Sequence, residues 1–472
     1  MTDREASARA AAAYDATAYP PGVFQQTHPG RLAAIARLHG LSPPPIETAR
    51  VLELGGGDGL NLAALAAAYP QMRCLSLDIA PQPVLAGRAL AAMAGLDNIR
   101  IDVADVLDTA TTLEGPFDYV IAHGLYAWVP DDARAATMAT IARVLAPDGV
   151  AFLSYNARPG GQIRAILRDM ALFAARDAAG PAERLALGRA ALLRFADEEG
   201  EQTALAAGMR QQARLIAERP DAVLTHDELS GHYHPQSLTE VSDAAAAVGL
   251  AYLNDAEFRI MEALPGTALP QAEMVAELQA LDHRHLAFFR SSLLVRADRA
   301  IGRRLDVGGV AGLWLESRAV RQGDGRSFRV DAIAFEIGDD RMCELMAAAQ
   351  AVWPVRVPLA PLKGEADRLE AFVRLLDARV IRLHAGQLPV EPLSDRPRTT
   401  GLVRAQIARG DRDVARLDQS LTRIEPWAAG LLPLLDGTRD RPAIDRAWTA
   451  GRDGRDLATA LEMLRTAALL IS

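Results

Sequence analysis

The stretch VLELGGGDGLNL, residues 51–62, sets four glycines in five positions directly after an apolar run. Backbone can approach a ligand closely at Gly55, Gly57 and Gly59, because no side chain intervenes there. In the dinucleotide pattern G-x-G-x-x-G the third glycine lets the helix pack on its strand. Counted from Gly55, that position is Leu60, and the pattern is instead E-x-G-x-G-x-G with Glu53 at its head. Asp78 follows about 20 residues after the turn, where an acid accepts hydrogen bonds from a ribose hydroxyl pair. In ADVLD, Asp105 can accept from an adenine amino group and the Val106 backbone can meet the ring edge, while AHGLYAWVP brings His123 to the next turn. Glu53, Gly55, Gly57, Gly59, Asp78, Asp105 and His123 thus fall at four successive candidate strand ends, a more specific pattern than the glycines alone.

Those residues need a particular scaffold. VLEL (51–54), CLSLDI (74–79), IRIDVAD (99–105), FDYVIAHG (117–124) and GVAFLSYN (149–156) read as five strands. Helices through LNLAALAAAY, VLAGRALAAMAGL and a segment around 131–146 alternate with them. That alternation predicts crossover units and a parallel sheet covered on both faces. Turns leading from such strands into helices lie at the carboxyl edge of the sheet, where open α/β sheets bind ligands. Upstream, RLAAIARLHGL (31–41) has apolar residues at helical spacing and stops at Gly40, before a proline run.

From Gly160 the texture changes to Ala-, Leu- and Arg-rich helical segments, QIRAILRDMALFAARDAAG and AERLALGRAALLRFADEEG. SLTEVSDAAAAVGL reads as a helix, AYLNDAEF as a strand, and FRSSLLVRA (289–297), after another helical stretch, as a second strand. These strands would complete the sheet, making the helices at about 160–235 an insertion packed on it. The remainder twice repeats a rough order of helix, helix, helix and strand, at 342–386 and at 427–472, the latter ending in RTAALLIS. This predicts two small winged-helix-like units.

Composition excludes several classes. The 472 residues are 50% hydrophobic and 24% charged, enough for two to four domains with a sizeable core. A net charge of -9 argues against a surface that neutralises nucleic-acid phosphates. Cys74 and Cys343 share no metal-like spacing and make no disulfide framework, which fits a reducing compartment. His232 with His234 and His283 with His285 lack a supporting carboxylate or cysteine framework, so no metal is expected. MTDREASARAAAAYD has no apolar core or cleavage signal, and no stretch approaches 18 apolar residues. A cytoplasmic location without a membrane span follows as the expectation. Lys363 is the one lysine among many arginines, which reads as the mark of a GC-rich genome.

In order, VLELGGGDG, LDIAP, ADVLD and FDYVIAHG resemble the first four motifs of the class I S-adenosylmethionine-dependent methyltransferases. The resemblance implies S-adenosyl-L-methionine as cofactor, held by Glu53, Gly55, Gly57, Gly59, Asp78, Ile79, Asp105, Val106 and His123. It implies an α/β fold with a Rossmann-like seven-stranded methyltransferase sheet. The glycine turn then holds a nucleoside carrying a sulfonium rather than a pyrophosphate.

The upstream YDATAYPPGVFQQTHPGRLAAIARLHGL and the later SYNARPGGQIRAILRDM, FRSSLLVR and LLPLLDGTRDR are similar to bacterial methyltransferases with a methyltransferase regulatory domain. Some of that group, including rickettsial types, are protein-lysine methyltransferases acting on outer-membrane proteins. The resemblance implies a protein substrate, an outer-membrane or surface protein met before export. The alternatives are a small-molecule (natural-product) methyltransferase and a non-catalytic adaptor that binds S-adenosylmethionine. HYHPQSLTE stands where the family is more aromatic, and Gly56 where a cysteine is common, which leaves the acceptor open.

Methyl transfer is an in-line displacement, so the acceptor must be aligned and stripped of water. A lysine acceptor, with a pKa near ~10.4 in water, must first lose a proton. The motif reading places Tyr126, Trp128, Tyr155 and Asn156 at the ends of the fourth and fifth strands. Aromatic faces there can hold a methylated ammonium, with ordinary core or lid packing as the alternative. His123 orients the acceptor, assists proton removal or packs on the cofactor. Tyr14, Tyr19 and His28 lie in a leading segment that folds over the cofactor in similar enzymes.

The domain division is then a helical lid at 1–45, the cofactor-binding core at 46–160, a helical insertion with the completing strands at 161–297, and a C-terminal winged-helix-like α+β region at 298–472. That last region serves substrate docking or homodimer formation, not nucleic-acid binding. A chain truncated near residue 297 that loses activity on a protein but keeps cofactor binding would support docking by this region.

Overall fold

Strand β1, Arg50–Leu54, is buried at every position after the first, as an apolar run between two helical layers must be. The computed structural model describes residues 3–198, 203–257, 270–302, 310–323, 325–359 and 366–472. Helices α1 (Asp3–Ala16) and α2 (Pro29–Leu38) precede β1. Four strands follow it in crossover units: β2 (Arg73–Asp78), β3 (Ile99–Val103), β4 (Phe117–Ala122) and β5 (Leu145–Asn156). The intervening helices are α3 (Leu60–Ala68), α4 (Pro81–Met93), α5 (Val106–Thr112) and α6 (Asp131–Val144).

After β5 come α7 (Gly160–Ala174), α8 (Pro181–Asp197) and α9 (Ala204–Ala217). A single turn, α10 (Asp221–Val223), runs into a π-helical turn at Leu224–Glu228. Then α11 (Leu238–Ala247), β6 (Leu250–Asp255), α12 (Gln271–His285) and β7 (Phe289–Arg296) return to the sheet. The seven strands are ordered β3-β2-β1-β4-β5-β7-β6, with β7 antiparallel to both neighbours. The two late strands therefore complete the sheet as expected. The inserted helices close around Leu167, Leu192, Ala213, Ile216 and Leu224, a small core of their own beside the sheet's.

The next stretch is richer in strands than its sequence suggests. β8 (Trp314–Ser317) pairs with β12 (Val357–Pro358) and β13 (Ile381–His384), while β9 (Val320–Arg321), β10 (Ser327–Val330) and β11 (Ile333–Glu336) form a second small sheet. α13 (Asp340–Val352) and α14 (Ala366–Asp377) pack on them. One hydrophobic cluster joins Leu315, Met346, Phe372 and Ile381 of this module to Leu32, Val51, Tyr119 and Phe152 of the sheet domain.

The C-terminal unit has α15 (Gly401–Arg409), the hairpin β14 (Asp413–Ala415) and β15 (Leu421–Arg423), then α16 (Pro426–Leu431), α17 (Arg441–Ala447) and α18 (Leu457–Thr466). Trp427, Leu431, Ile444, Trp448 and Leu461 form its core. RTAALLIS does not make the expected strand: its first residues end α18, and Ile471 and Ser472 exchange backbone hydrogen bonds with Arg398 outside any regular sheet. The hairpin that does form has strands of only three residues, too short for alternation to mark.

Nor is this region a detachable tail. α15 packs on α3 and α4, and Leu402 and Ala405 of α15 with Ala415 of β14 are buried together with Leu60, Ala63, Ala64 and Leu90. A side chain at Gly401 would place its Cβ 2.1 Å from the Ala94 carbonyl oxygen. Among the described residues, no helix is long and apolar enough to cross a membrane. Phe258, the last two residues of the 182–200 segment and Lys363 lie outside the described residues.

Candidate cofactor and acceptor site

The glycine loop leaves the carboxyl end of β1 with left-handed backbone at Gly55 (φ 71°), Gly57 (φ 59°) and Gly59 (φ 71°). Its amides are already spoken for. Gly55 and Gly56 donate to the Leu77 carbonyl (2.8 and 3.1 Å), Gly57 donates to Asp78 Oδ2 (2.7 Å), and Gly59 donates to the Gly56 carbonyl (2.9 Å). A pyrophosphate cradle requires such amides turned toward the ligand; here they tie the loop to the end of β2. A Cβ built at Gly57 meets nothing within 4 Å, so that position faces open space.

Gly56 is glycine for a different reason. A Cβ there would stand 2.1 Å from Ser76 Oγ and 3.1 Å from Glu53 Oε2, so Ser76 takes the volume that a larger residue at 56 would need.

Asp78 ends β2. Its carboxylate accepts from Gly57 and, at 2.9 Å, from Ala80; burial nevertheless raises its pKa. The amide of Ile79 also points at it. Glu53 is buried, and burial lifts its pKa to about 8 despite the 2.7 Å hydrogen bond from Asn61 Nδ2 to Oε1. Among the described residues Glu53 Oε2 has no hydrogen-bond partner. That oxygen is buried close to the Gly56 position, and an unpaired buried carboxylate oxygen is stabilised by a cationic partner. Asn61, which the motif reading passed over, lies in the first turn of α3, eight residues after Glu53.

Asp105 caps α5 by accepting from Leu107 at 2.9 Å, and Val106 begins that helix. His123 follows β4 and stacks on Phe24, with centroids 3.9 Å apart, while Gln26 Nε2 lies 3.2 Å from its Nε2. Burial lowers its pKa to about 4. His123 is therefore a neutral ring pressed against the leading segment, unable to take a second proton near neutral pH.

The leading segment is pinned at the end of α1. Asp15 accepts from Gln82 at the start of α4 (2.8 Å), Tyr14 stacks on His226 with centroids 4.1 Å apart, and His226 bonds the Thr17 carbonyl. Burial, then the carboxylates of Asp227 and Asp78, raise the Tyr14 pKa. Tyr19 is pushed to about 12 by burial and Asp227. His28 does something else: its Nδ1 accepts from Gly30 to cap α2, and its ring packs edge-on against Tyr69 and His384.

The expected acceptor residues separate. Tyr126 and Tyr155 are buried together in the core, edge to face at 6.4 Å, and the Tyr155 hydroxyl lies 3.1 Å from Ser292 Oγ. Alternation along β5 turns Tyr155 to the face opposite Phe152, Ser154 and Asn156. Trp128 is half-buried, but the guanidinium groups of Arg164 and Arg168 lie 5.0 and 5.5 Å from its ring centroid. The same two arginines lie 5.7 and 4.7 Å from the Tyr233 ring. This chain's own cations thus occupy the aromatic faces expected to receive a methylated ammonium.

Asn156 remains: buried, at the carboxyl end of β5, with no partner for Oδ1 among the described residues. Segment 234–236 lies across this edge, with His234 donating to the Ala127 carbonyl (2.8 Å) and Gln236 to that of Asn156 (2.9 Å). The rings of His232 and His234 are 6.5 Å apart, and His283 and His285 end α12. Among the described residues no group of three His, Cys, Asp or Glu side chains converges on a metal-sized space.

Comparison with known proteins places these features. A family model described as "Methyltransferase domain" matches residues 51–149, and one described as "PKMT, C-terminal winged helix domain" matches residues 395–462. The chain is 33% identical over 218 residues to uncharacterized protein RP028 of Rickettsia prowazekii, covering 46% of this chain and 86% of that one. It is 29% identical over 301 residues to RP789 of the same organism, covering 62% of this chain and 54% of that one. Trans-aconitate 2-methyltransferase of Methylobacterium nodulans is 31% identical over 136 residues, 29% of this chain and 47% of that one. PKMT2 from Rickettsia typhi, solved alone and in complex with AdoHcy, has the same fold: TM-score 0.78 at 22% identity, covering 96% of this chain and 100% of that one.

Proposed function

This chain belongs to the S-adenosylmethionine-dependent methyltransferases that carry a PKMT-type C-terminal winged helix, and from that membership we propose that it methylates lysine side chains of a protein. The observation that carries the reading is the winged-helix match at 395–462 in the same chain as the methyltransferase domain at 51–149. Bound S-adenosylmethionine supplies an electrophilic methyl group on sulfur. Gly57 and Asp78 would hold its ribose end, Glu53 its amino group, and Asp105 with Val106 its base, with the leading segment over it.

The acceptor side is the edge around Asn156. Asn156 Oδ1, buried and without a partner among the described residues, would accept an N–H of the incoming amine. His123 serves as a wall, since a ring with a pKa of about 4 cannot take a proton from an ammonium. Desolvation favours the neutral amine instead. The substrate this favours is a polypeptide presenting a lysine, such as a surface or outer-membrane protein met in the cytoplasm before export.

The test is to incubate the purified chain with radiolabelled S-adenosylmethionine and a fractionated cell extract, with Gly57→Arg as control. An arginine at 57 fills the open space beside the loop. Label in protein that is lost with Gly57→Arg, and that hydrolyses to methylated lysine, is the expected result. The match to trans-aconitate 2-methyltransferase favours a second reading, a small-molecule acceptor; label only in the small-molecule fraction would establish it. Cofactor binding without any transfer would point to an adaptor.

A further inference from the structure

The tip of the β14–β15 hairpin, Arg416–Ser420, reaches back 358 residues in sequence to the glycine-loop helix. Gln419 is 1% exposed and has φ 57°, the left-handed region that a side chain disfavours. Its Nε2 donates to Asn61 Oδ1 at 2.9 Å and to Thr27 Oγ1 at 3.3 Å. The Phe24 amide donates to the same Asn61 oxygen at 3.0 Å, and Asn61 Nδ2 donates to Glu53 Oε1 at 2.7 Å. A backbone amide can only donate, so the Phe24 contact fixes which end of the Asn61 side chain is oxygen. Gln419 must therefore present its N–H, and that bond helps to aim Asn61 at Glu53.

The tip is itself anchored. Asp418 is paired with Arg416 (3.2 Å) and Arg318 (3.3 Å), its carbonyl accepts from Gln25 Nε2 (3.2 Å), and Leu417 donates to the Ala468 carbonyl (2.9 Å). Backbone held in a disfavoured region by surrounding contacts is the form that built-in positioning takes. Leading segment, glycine-loop helix and winged helix meet at one buried side chain.

We infer that Gln419 is a positioning residue for the cofactor site: through Asn61 it orients Glu53, so that the winged helix sets the affinity for S-adenosylmethionine. The inference rests on the cofactor assignment and is independent of the identity of the acceptor.

The experiment compares full-length wild type, Gln419→Gly and Gln419→Glu, titrating S-adenosylhomocysteine by calorimetry and melting each protein without ligand. Glycine relieves the left-handed backbone while deleting the amide. Glutamate keeps the shape but sets a carboxylate oxygen against Asn61 Oδ1. The expected result is a glycine variant that melts at or near the wild-type temperature yet binds about five- to thirtyfold more weakly, with the glutamate variant weaker still. In turnover, KM for S-adenosylmethionine rises while kcat at saturating cofactor is kept. Wild-type affinity in both variants would overturn the proposal. So would collapse of the fold in both, which would make Gln419 a structural plug. Failure of the wild type to bind would instead implicate the cofactor assignment.

Discussion

At the scale of single residues the site is a set of buried acids whose charge depends on what they face. Glu53, with a pKa of about 8, is largely protonated at pH 7 when nothing cationic meets Oε2. Pairing with the cofactor's amino group would favour the ionised form and release a proton. Affinity for S-adenosylhomocysteine should therefore rise with pH up to about 8. At pH 7 the observed binding enthalpy should vary with the ionisation enthalpy of the buffer, and Glu53→Gln should remove that dependence. The same shift sets a stability slope: between the ordinary value of 4.5 and about 8 the folded chain holds the proton more tightly than the unfolded chain, so Glu53 lowers stability as pH rises through that window. Asp78 ties the glycine loop to the end of β2 by accepting from the Gly57 and Ala80 amides. Asp78→Ala is expected to lose cofactor affinity and activity together, by about tenfold or more, in parallel binding and turnover assays. Retained methylation would remove Asp78 from the site.

At the scale of elements, the decisive contact joins the leading segment to the insertion. α1 packs on α4, and His226, in the π-helical turn, holds its end through the Tyr14 stack and the Thr17 carbonyl. Replacing His226 with Ala should free residues 14–19 while leaving the sheet intact. Limited proteolysis should then cut before Phe24 several times faster, and bound S-adenosylhomocysteine should restore protection in the wild type more than in the variant. Unchanged cleavage would show that α4 alone anchors the segment, through Asp15 and Gln82. Arg164 on α7 pairs with Asp227 and Glu228 of the same turn and so ties it to the inserted helices.

At the scale of the whole molecule the domains are not independent bodies. Truncation after residue 297 would expose Leu60, Ala63, Ala64 and Leu90 along with one side of the sheet cluster, all now covered by later residues. The shortened chain should melt lower by ~10 °C or more, or aggregate, and should lose S-adenosylhomocysteine binding, as calorimetry would show. Unchanged affinity in a soluble truncated chain would restore the picture of a detachable docking tail. Motif order and strand-helix alternation were legible in the sequence because each is local: a glycine turn, an acid at a strand end, an apolar run of five residues. The E-x-G-x-G-x-G turn and Asp78 therefore stood out, and the sheet could be anticipated through its last strand. Tertiary packing decided the rest. It turned Tyr155 into the core, filled the Trp128 face with arginines, shortened the C-terminal strands below the length at which alternation shows, and carried Gln419 to Asn61. Contacts between residues hundreds of positions apart leave no periodic mark on either segment; they exist only once the chain has closed on itself.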